Sequence, residues 1–445
     1  MKLSRDEIIA WRCYVQGLCA EPDDLAPVEV VGRMAAMQAQ KLPDSMWGIG
    51  VRSRATRDDL ERRISEGREL ARGWPMRGTL HLMVPGDVRW LHAATARGQF
   101  GADHFKGSGI ADVAEEACAE IVGFIRERGS ASLPQLKEHL KERGIDFAIG
   151  HLRSLVYYLT RTDQLILGPI NDRGNSQDLV LADEWFPDST SQHQPDEWGI
   201  VVDAASGEEK DAEAARVRLV LRYLRGHGPA TDKDMAWWSG LPVTVIRAAL
   251  QRAQALLDER SGVCGAGTMN VADAGNAVAP DNVENGNANV GSISDEGTEQ
   301  AGLSPERLVQ AEGPNGEAFW MLLGASPSSP PTPPAPPKLM LLPSFDEYLL
   351  GYADRSHVLP DEHARAIDPL RNGSFKPVVV ADGHCVGTWT FPTRARLSGK
   401  APLAIDVTPF DAKSSRRIGK RALHKAALRV AAHVGRTEVI SQIVR

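Results

Sequence analysis

The chain has 445 residues, 42% of them apolar and 24% charged, with a formal charge of −7. At about 150 residues per domain this length predicts about three folded units, and the composition excludes collagen-like, wholly disordered and disulfide-scaffold chains. The net acidity argues against binding nucleic acid through global positive charge.

In chain order, Ser4-Arg5-Asp6-Glu7 has the spacing of a capping box ahead of an amphipathic helix to about Leu18. A second helix is predicted over 28–38 and a third over 57–65, followed by a strand, Thr79-Leu80-His81-Leu82-Met83-Val84. Three helices and then a strand ribbon is the order of a winged helix, a variant of the helix-turn-helix. The order recurs. Helices are predicted over 115–128, 133–141 (capped by Ser132) and 147–161, with strands 165–167 and 179–181 around a polar turn. It recurs again with helices over 212–225, 232–238 and 243–257 and a returning strand over 318–323. Aligning Gly129 with Gly228 places Ala131 on Ala230 and Ser132 on Thr231, so the unit is read as an internal repeat.

Residues 262–301 contain no Lys, Arg, His, Leu or aromatic residue and are predicted to be disordered, because they bury too little apolar surface to offset ordering entropy. They also hold six acids, so the rest of the chain carries a charge of only about −1. A proline-rich linker follows at 327–337 and is expected to be extended. Strands are then predicted over 339–342, 377–380, 385–389 and 403–407, with Asp382-Gly383 as a hairpin turn, closed by a basic helix over about 416–434. From Arg394 to Arg445 there are twelve bases and three acids. A second basic stretch, 52–77, has eight arginines and five acids; it is either a solvated helix face or a binding surface. The expected fold is therefore mainly α with small β: tandem winged-helix units at 1–110, 111–205 and 206–326 (the last with the insertion), the linker, and a β-barrel-like domain at 338–445.

Five widely spaced cysteines without a C-x-x-C pair suit a reduced cytoplasmic protein. The charged N-terminus lacks an apolar signal core, and no apolar run approaches the ~20 residues of a membrane span. No phosphate-binding loop, nucleophile elbow or H-E-x-x-H motif occurs. Asp44, Asp58 and Asp59 are read as solvated acids, and His81 as a satisfied core or edge histidine.

Gln38-Ala39-Gln40 stands out, because two glutamines at i and i+2 share a face only where the backbone is extended. Lys41-Leu42-Pro43 supplies the break, since a residue before proline is pushed out of the helical region. The pair is then either a solvated helix end or two amides aimed into one cleft. Together with Arg77-Gly78-Thr79-Leu80-His81-Leu82, Gly228-Pro229-Ala230-Thr231, Trp238-Ser239-Gly240-Leu241 and Leu342-Pro343-Ser344-Phe345-Asp346-Glu347-Tyr348, the motif resembles that of the AlkZ-like winged-helix DNA glycosylases, over nearly the whole chain.

The resemblance implies a monofunctional, metal-free and cofactor-free DNA repair enzyme that excises N7- or N3-alkylated purines from double-stranded DNA, with interstrand cross-links as a further substrate. It implies Gln38 and Gln40 as the catalytic pair, here assigned as partner and principal water-positioning group respectively. Arg77, Thr79 and His81 are expected beside them on DNA, and Arg416, Arg417, Lys420 and Arg421 form a second DNA contact. Phe345, Asp346 and Tyr348 are read as either structural or functional. A monomer is expected, since three tandem units without a dimerisation segment poorly fit the alternative, a non-catalytic winged-helix regulator.

Overall fold

The computed structural model describes residues 1–19, 25–95, 104–171, 176–187, 195–261, 306–324, 332–370, 373–390 and 402–444. The predicted insertion at 262–301, the centre of the 172–175 turn and the start of the proline linker lie outside them.

The chain begins with α1 (Arg5–Val15), α2 (Pro27–Met34), β1 (Met37–Gln38), α3 (Leu42–Gly50), α4 (Arg57–Ser65), β2 (Ala71–Met76), β3 (Thr79–Met83) and α5 (Val88–Thr95). Next come α6 (Ala111–Arg128), α7 (Leu133–Glu142), α8 (Ile149–Arg161), β4 (Leu165–Ile170), β5 (Gln177–Leu181) and α9 (Ala182–Trp185). A third set follows: α10 (Glu209–His227), α11 (Asp232–Ser239), α12 (Val243–Arg260), β6 (Arg307–Glu312) and β7 (Ala318–Leu323). The last elements are β8 (Met340–Leu342), α13 (Glu347–Leu350), α14 (Ala364–Ile367), β9 (Val378–Ala381), β10 (His384–Trp389), β11 (Leu403–Pro409), α15 (Ala412–Arg417), α16 (Lys420–His433) and β12 (Val439–Ile443).

The order helix, extended residue, two helices, hairpin occurs three times, and in each case the extended residue pairs with the hairpin's second strand. The pairs are Gln38 with His81, Ala131 with Leu179 and Ala230 with Trp320. The first repeat thus starts at α2 rather than at α1, which sends Ile9 and Cys13 into the C-terminal core beside Val378–Val380. The first two hairpins share one sheet, in the order β1-β3-β2-β4-β5, while β6-β7 stands apart. The C-terminal sheet runs β12-β11-β10-β9-β8, antiparallel except for the β11–β12 pair. Asp382 and Gly383 both take positive φ, as the β9–β10 hairpin turn requires. Among the described residues no helix is long and apolar enough to cross a membrane.

Several local expectations are corrected. The second helix ends at Met34, four residues early. Ala35 stands at φ 60, ψ −48, and the Ala36 N–H closes a γ-turn on the Met34 carbonyl at 2.7 Å. Packing accompanies this turn: α10 comes so near that a Cβ on Gly226 would sit 2.4 Å from the Arg33 carbonyl oxygen. Pro43 opens a helix at its first turn instead of ending one, where its missing N–H costs nothing. Asp44 is buried rather than solvated, accepts a hydrogen bond from the Ser344 hydroxyl, and is pushed up by burial.

The basic stretch 52–77 is largely consumed internally. Arg57 pairs with Glu61, and Arg62 and Arg63 with Asp59. Arg52, fully buried, makes two 2.8 Å bonds to the Asp346 carboxylate, which clamps α3 to the C-terminal module. Removing one member of a buried pair strands the other charge, at a cost of about 3–5 kcal/mol. Asp346→Asn is therefore expected to lower unfolding stability by several kcal/mol in urea denaturation, and Arg52→Met with Asp346→Leu to recover part of it. Equal midpoints for wild type and Asp346→Asn would contradict this role.

Candidate active site

The γ-turn at Ala35 delivers the chain into β1 in extended form, so Gln38 lies on a strand and Gln40 in the bend just after it, not on a helix. Three anchors hold this segment. The Ala39 N–H donates to the Leu80 carbonyl at 2.7 Å. The Arg72 guanidinium donates twice to the Ala39 carbonyl, at 2.9 and 2.6 Å, and once to Gln177 at 3.1 Å. The Gln38 N–H, on the outer edge of the sheet, donates to Glu347 Oε1 at 2.8 Å.

Glu347 is 1% exposed, and its second oxygen accepts from Trp238 Nε1 at 3.0 Å and His227 Nε2 at 3.2 Å. Burial pushes this carboxyl up, but the His227 contact and the Gln38 N–H outweigh it and hold the group below its ordinary value. A buried negative charge therefore sits directly behind the glutamine strand.

Residues opposite or two apart in an antiparallel pair share a face. Gln38 is opposite His81, and Thr79 is two residues before His81. The buried Gln38 Oε1, Thr79 Oγ1 and His81 Nε2 each lack a hydrogen-bond partner among the described residues, as do Nε and Nη2 of Arg77 at the hairpin turn. His81 Nδ1 faces the Thr79 carbonyl at 2.9 Å. A carbonyl only accepts, so Nδ1 carries the proton and Nε2 offers a lone pair. Burial depresses the imidazole to about 4, which keeps it neutral at physiological pH. The face thus gathers acceptors, a hydroxyl and a guanidinium in place of the satisfied histidine expected. Gln40 differs: it is exposed, and its Oε1 accepts the Leu80 N–H at 3.3 Å.

The other expected DNA contacts lie elsewhere. Arg417, Lys420 and Arg421 line a groove of about 1060 Å³ between α16, Trp47 and the β8 region. Arg416 is exposed at the end of α15. Asp346 and Tyr348 resolve as structural groups, Asp346 on Arg52 and the Tyr348 hydroxyl donating to the Gly383 carbonyl at 2.5 Å. Among the described residues no group of three or more His, Cys, Asp or Glu side chains forms a metal site. Arg72 and Glu347 were missed by sequence reasoning. Arg72 had a readable signal: a lone charge on an apolar strand, between Ala71 and Gly73-Trp74.

The family model for "DNA glycosylase AlkZ-like" matches residues 31–283 and 295–433. The chain belongs to the AlkZ-like DNA glycosylase family. An interstrand DNA cross-link repair glycosylase of Streptomyces sahachiroi is 24% identical over 461 residues, covering 100% of this chain and 99% of that protein. The solved structure of the Streptomyces sahachiroi DNA glycosylase AlkZ superposes with a TM-score of 0.65 at 22% identity, over 100% of both chains. AlkZ-like membership and this shared fold agree with the architecture described above.

Glu347→Gln retains an acceptor for the Gln38 N–H but turns an NH₂ toward the Trp238 and His227 donors. Leaving a buried donor unmatched costs about 1–3 kcal/mol. That loss is expected in urea denaturation; an unchanged midpoint would show that the carboxylate does not organise the strand.

Proposed function

We propose that this AlkZ-like protein is a monofunctional DNA glycosylase, without metal or cofactor, that hydrolyses the N-glycosidic bond of N7-alkylguanine and N3-alkyladenine in double-stranded DNA. The observation that carries the reading is the unpartnered, buried Gln38 Oε1 on a backbone anchored from three directions. Its fold is read as tandem winged-helix units within 1–110 (from α2 onward), 111–205 and 206–326, joined by a linker at 327–337 to a barrel-like domain at 338–445 on which α1 packs. It acts as a cytoplasmic monomer.

A cationic alkylated purine is already a good leaving group, so the enzyme needs no strong general acid. What remains is to position water and to favour an oxocarbenium-like sugar, as in other glycosidic cleavages. A glutamine amide does not ionise usefully and so cannot remove a proton, but its carbonyl orients water. The geometry favours the reverse of the expected division between the two glutamines. Gln40 Oε1 is engaged with Leu80, so Gln38 Oε1 is the principal acceptor for water, with the neutral His81 Nε2 a second acceptor on the same face. Gln40 then braces the hairpin strand. The ionised Glu347 behind Gln38 adds favourable potential for the developing sugar cation. Arg77 and Thr79 contact the DNA backbone from the hairpin, and Arg416, Arg417, Lys420 and Arg421 contact it more remotely. Opening an interstrand cross-link, the activity named for the Streptomyces relative, breaks the same bond.

Single-turnover release of N7-methylguanine from duplex DNA tests this reading. Gln38→Ala is expected to slow release at least about 10²-fold and Gln40→Ala by less, with binding retained. The wild-type rate is expected to be flat above about pH 6, where His81, at about 4, stays neutral. No release by a protein that binds the DNA would leave the non-catalytic regulator as the reading.

A further inference from the structure

Trp237 is 45% exposed, one of the large apolar side chains left at the surface, and it adjoins the site through its neighbour Trp238, which holds Glu347. Two guanidiniums lie close to its indole ring. Arg77, from the β2–β3 turn, lies 5.9 Å from the ring centroid, and Arg355, following α13, lies 5.3 Å from it. The three residues come from the first repeat, the third repeat and the C-terminal module, and so converge only in the folded chain.

The arrangement is built. Gly240 ends α11 at φ +75, and a Cβ there would meet the Arg77 Cγ at 3.0 Å, so the glycine serves both the turn and the passage of the arginine. Arg355 is fixed by an Nε bond to the Leu349 carbonyl at 2.8 Å and by the Phe375 ring at 5.1 Å.

Neither charge is neutralised by an ion pair. Among the described residues no carboxylate lies within ion-pairing distance of either guanidinium; Glu347 attracts Arg77, and Asp234, Asp354 and Asp368 attract Arg355, from further away. Arg77 Nε and Nη2 and Arg355 Nη2 are buried N–H donors without a partner. Each charge repels the other, and burial pushes both arginines down from their ordinary range. Two like charges gathered at one exposed aromatic ring, with donors unused, form a receptor for an anion attached to a flat ring.

Resting on the DNA glycosylase reading, we propose that Trp237, Arg77 and Arg355 form a nucleotide-binding platform beside the glutamine site: an unpaired nucleobase of the substrate strand stacks on Trp237 while the two arginines hold its flanking phosphates. Aromatic stacking of this kind tolerates any base, and the phosphate contacts make binding salt-dependent. The platform gives the protein a preference for DNA with an unstacked nucleotide, independent of the damaged base.

Fluorescence anisotropy with undamaged duplexes tests this, one fully paired and one carrying a single unpaired nucleotide, across a salt series. Wild type is expected to prefer the duplex with the unpaired nucleotide. Trp237→Ala is expected to weaken binding to that duplex about tenfold or more and to abolish the preference, and Trp237→Phe to restore most of it. Arg355→Gln is expected to lower the salt slope by about one on both DNAs. Thermal melting of the Trp237 variants should match wild type within a few degrees, since that side chain is exposed. Wild-type affinity and preference in Trp237→Ala, an unchanged salt slope in Arg355→Gln, or no preference in wild type would overturn the platform. These outcomes leave the glycosylase reading standing, because that reading fails instead on absent base release. A wild-type protein that binds neither DNA contradicts both.

Discussion

The buried carboxylate of Glu347 is the constraint on which the site depends. An ion in the interior is tolerated only when its lone pairs are met, and here a backbone amide, an indole and an imidazole meet them. Those donors belong to β1, α11 and α10, so one side chain from α13 fixes the relative positions of three other elements. Phe345, at φ 62, turns the chain just before it, and the two following carboxylates diverge, Asp346 to Arg52 and Glu347 to Gln38. The segment Phe345-Asp346-Glu347-Tyr348 thus acts as a joint between the C-terminal module and the helical repeats.

Beside this fixed anchor, the face shared by Gln38, Thr79 and His81 keeps buried polar atoms without partners among the described residues. Backbone anchoring through Arg72, Leu80 and Glu347 leaves the Gln38 side chain without a hydrogen-bonding duty to the fold. The strained γ-turn at Ala35 and the left-handed Arg77 flank the same strand pair. A strained turn, unpartnered polar atoms and a buried charge thus meet around the β2–β3 hairpin. The first repeat differs from the other two at this place: Ala131 and Ala230 occupy the position that Gln38 takes, so only the first repeat carries a polar side chain at this bridge.

Much of the fold was legible from local patterns. Caps at Ser4, Ser132 and Thr231, the Asp382-Gly383 turn and the alignment of Ala131 with Ala230 depend on near neighbours, and these emerge as read. The end of α2 was not legible, because Ala35-Ala36-Met37 favours helix locally and only the close approach of α10 overrides it. Helix α3 was missed because Pro43 reads equally as a stop and as a first-turn residue. Glu347 looks like any acid at a helix start until His227, Trp238 and Gln38 are brought to it across more than a hundred residues of sequence. Charge counting failed for a related reason: most arginines of 52–77 are spent on internal partners, whereas two of the consequential cations, Arg77 and Arg355, have no ion-pair partner among the described residues and keep buried N–H donors unbonded.

In the proposed mechanism Gln38 Oε1 is reserved for water by a backbone that does not need it. A high-resolution crystal structure of the unliganded protein tests it most directly. The predicted result is an ordered water about 2.6–3.2 Å from Gln38 Oε1 that also reaches His81 Nε2. A Gln38 amide bonded to a protein donor, with no solvent on that face, would contradict it.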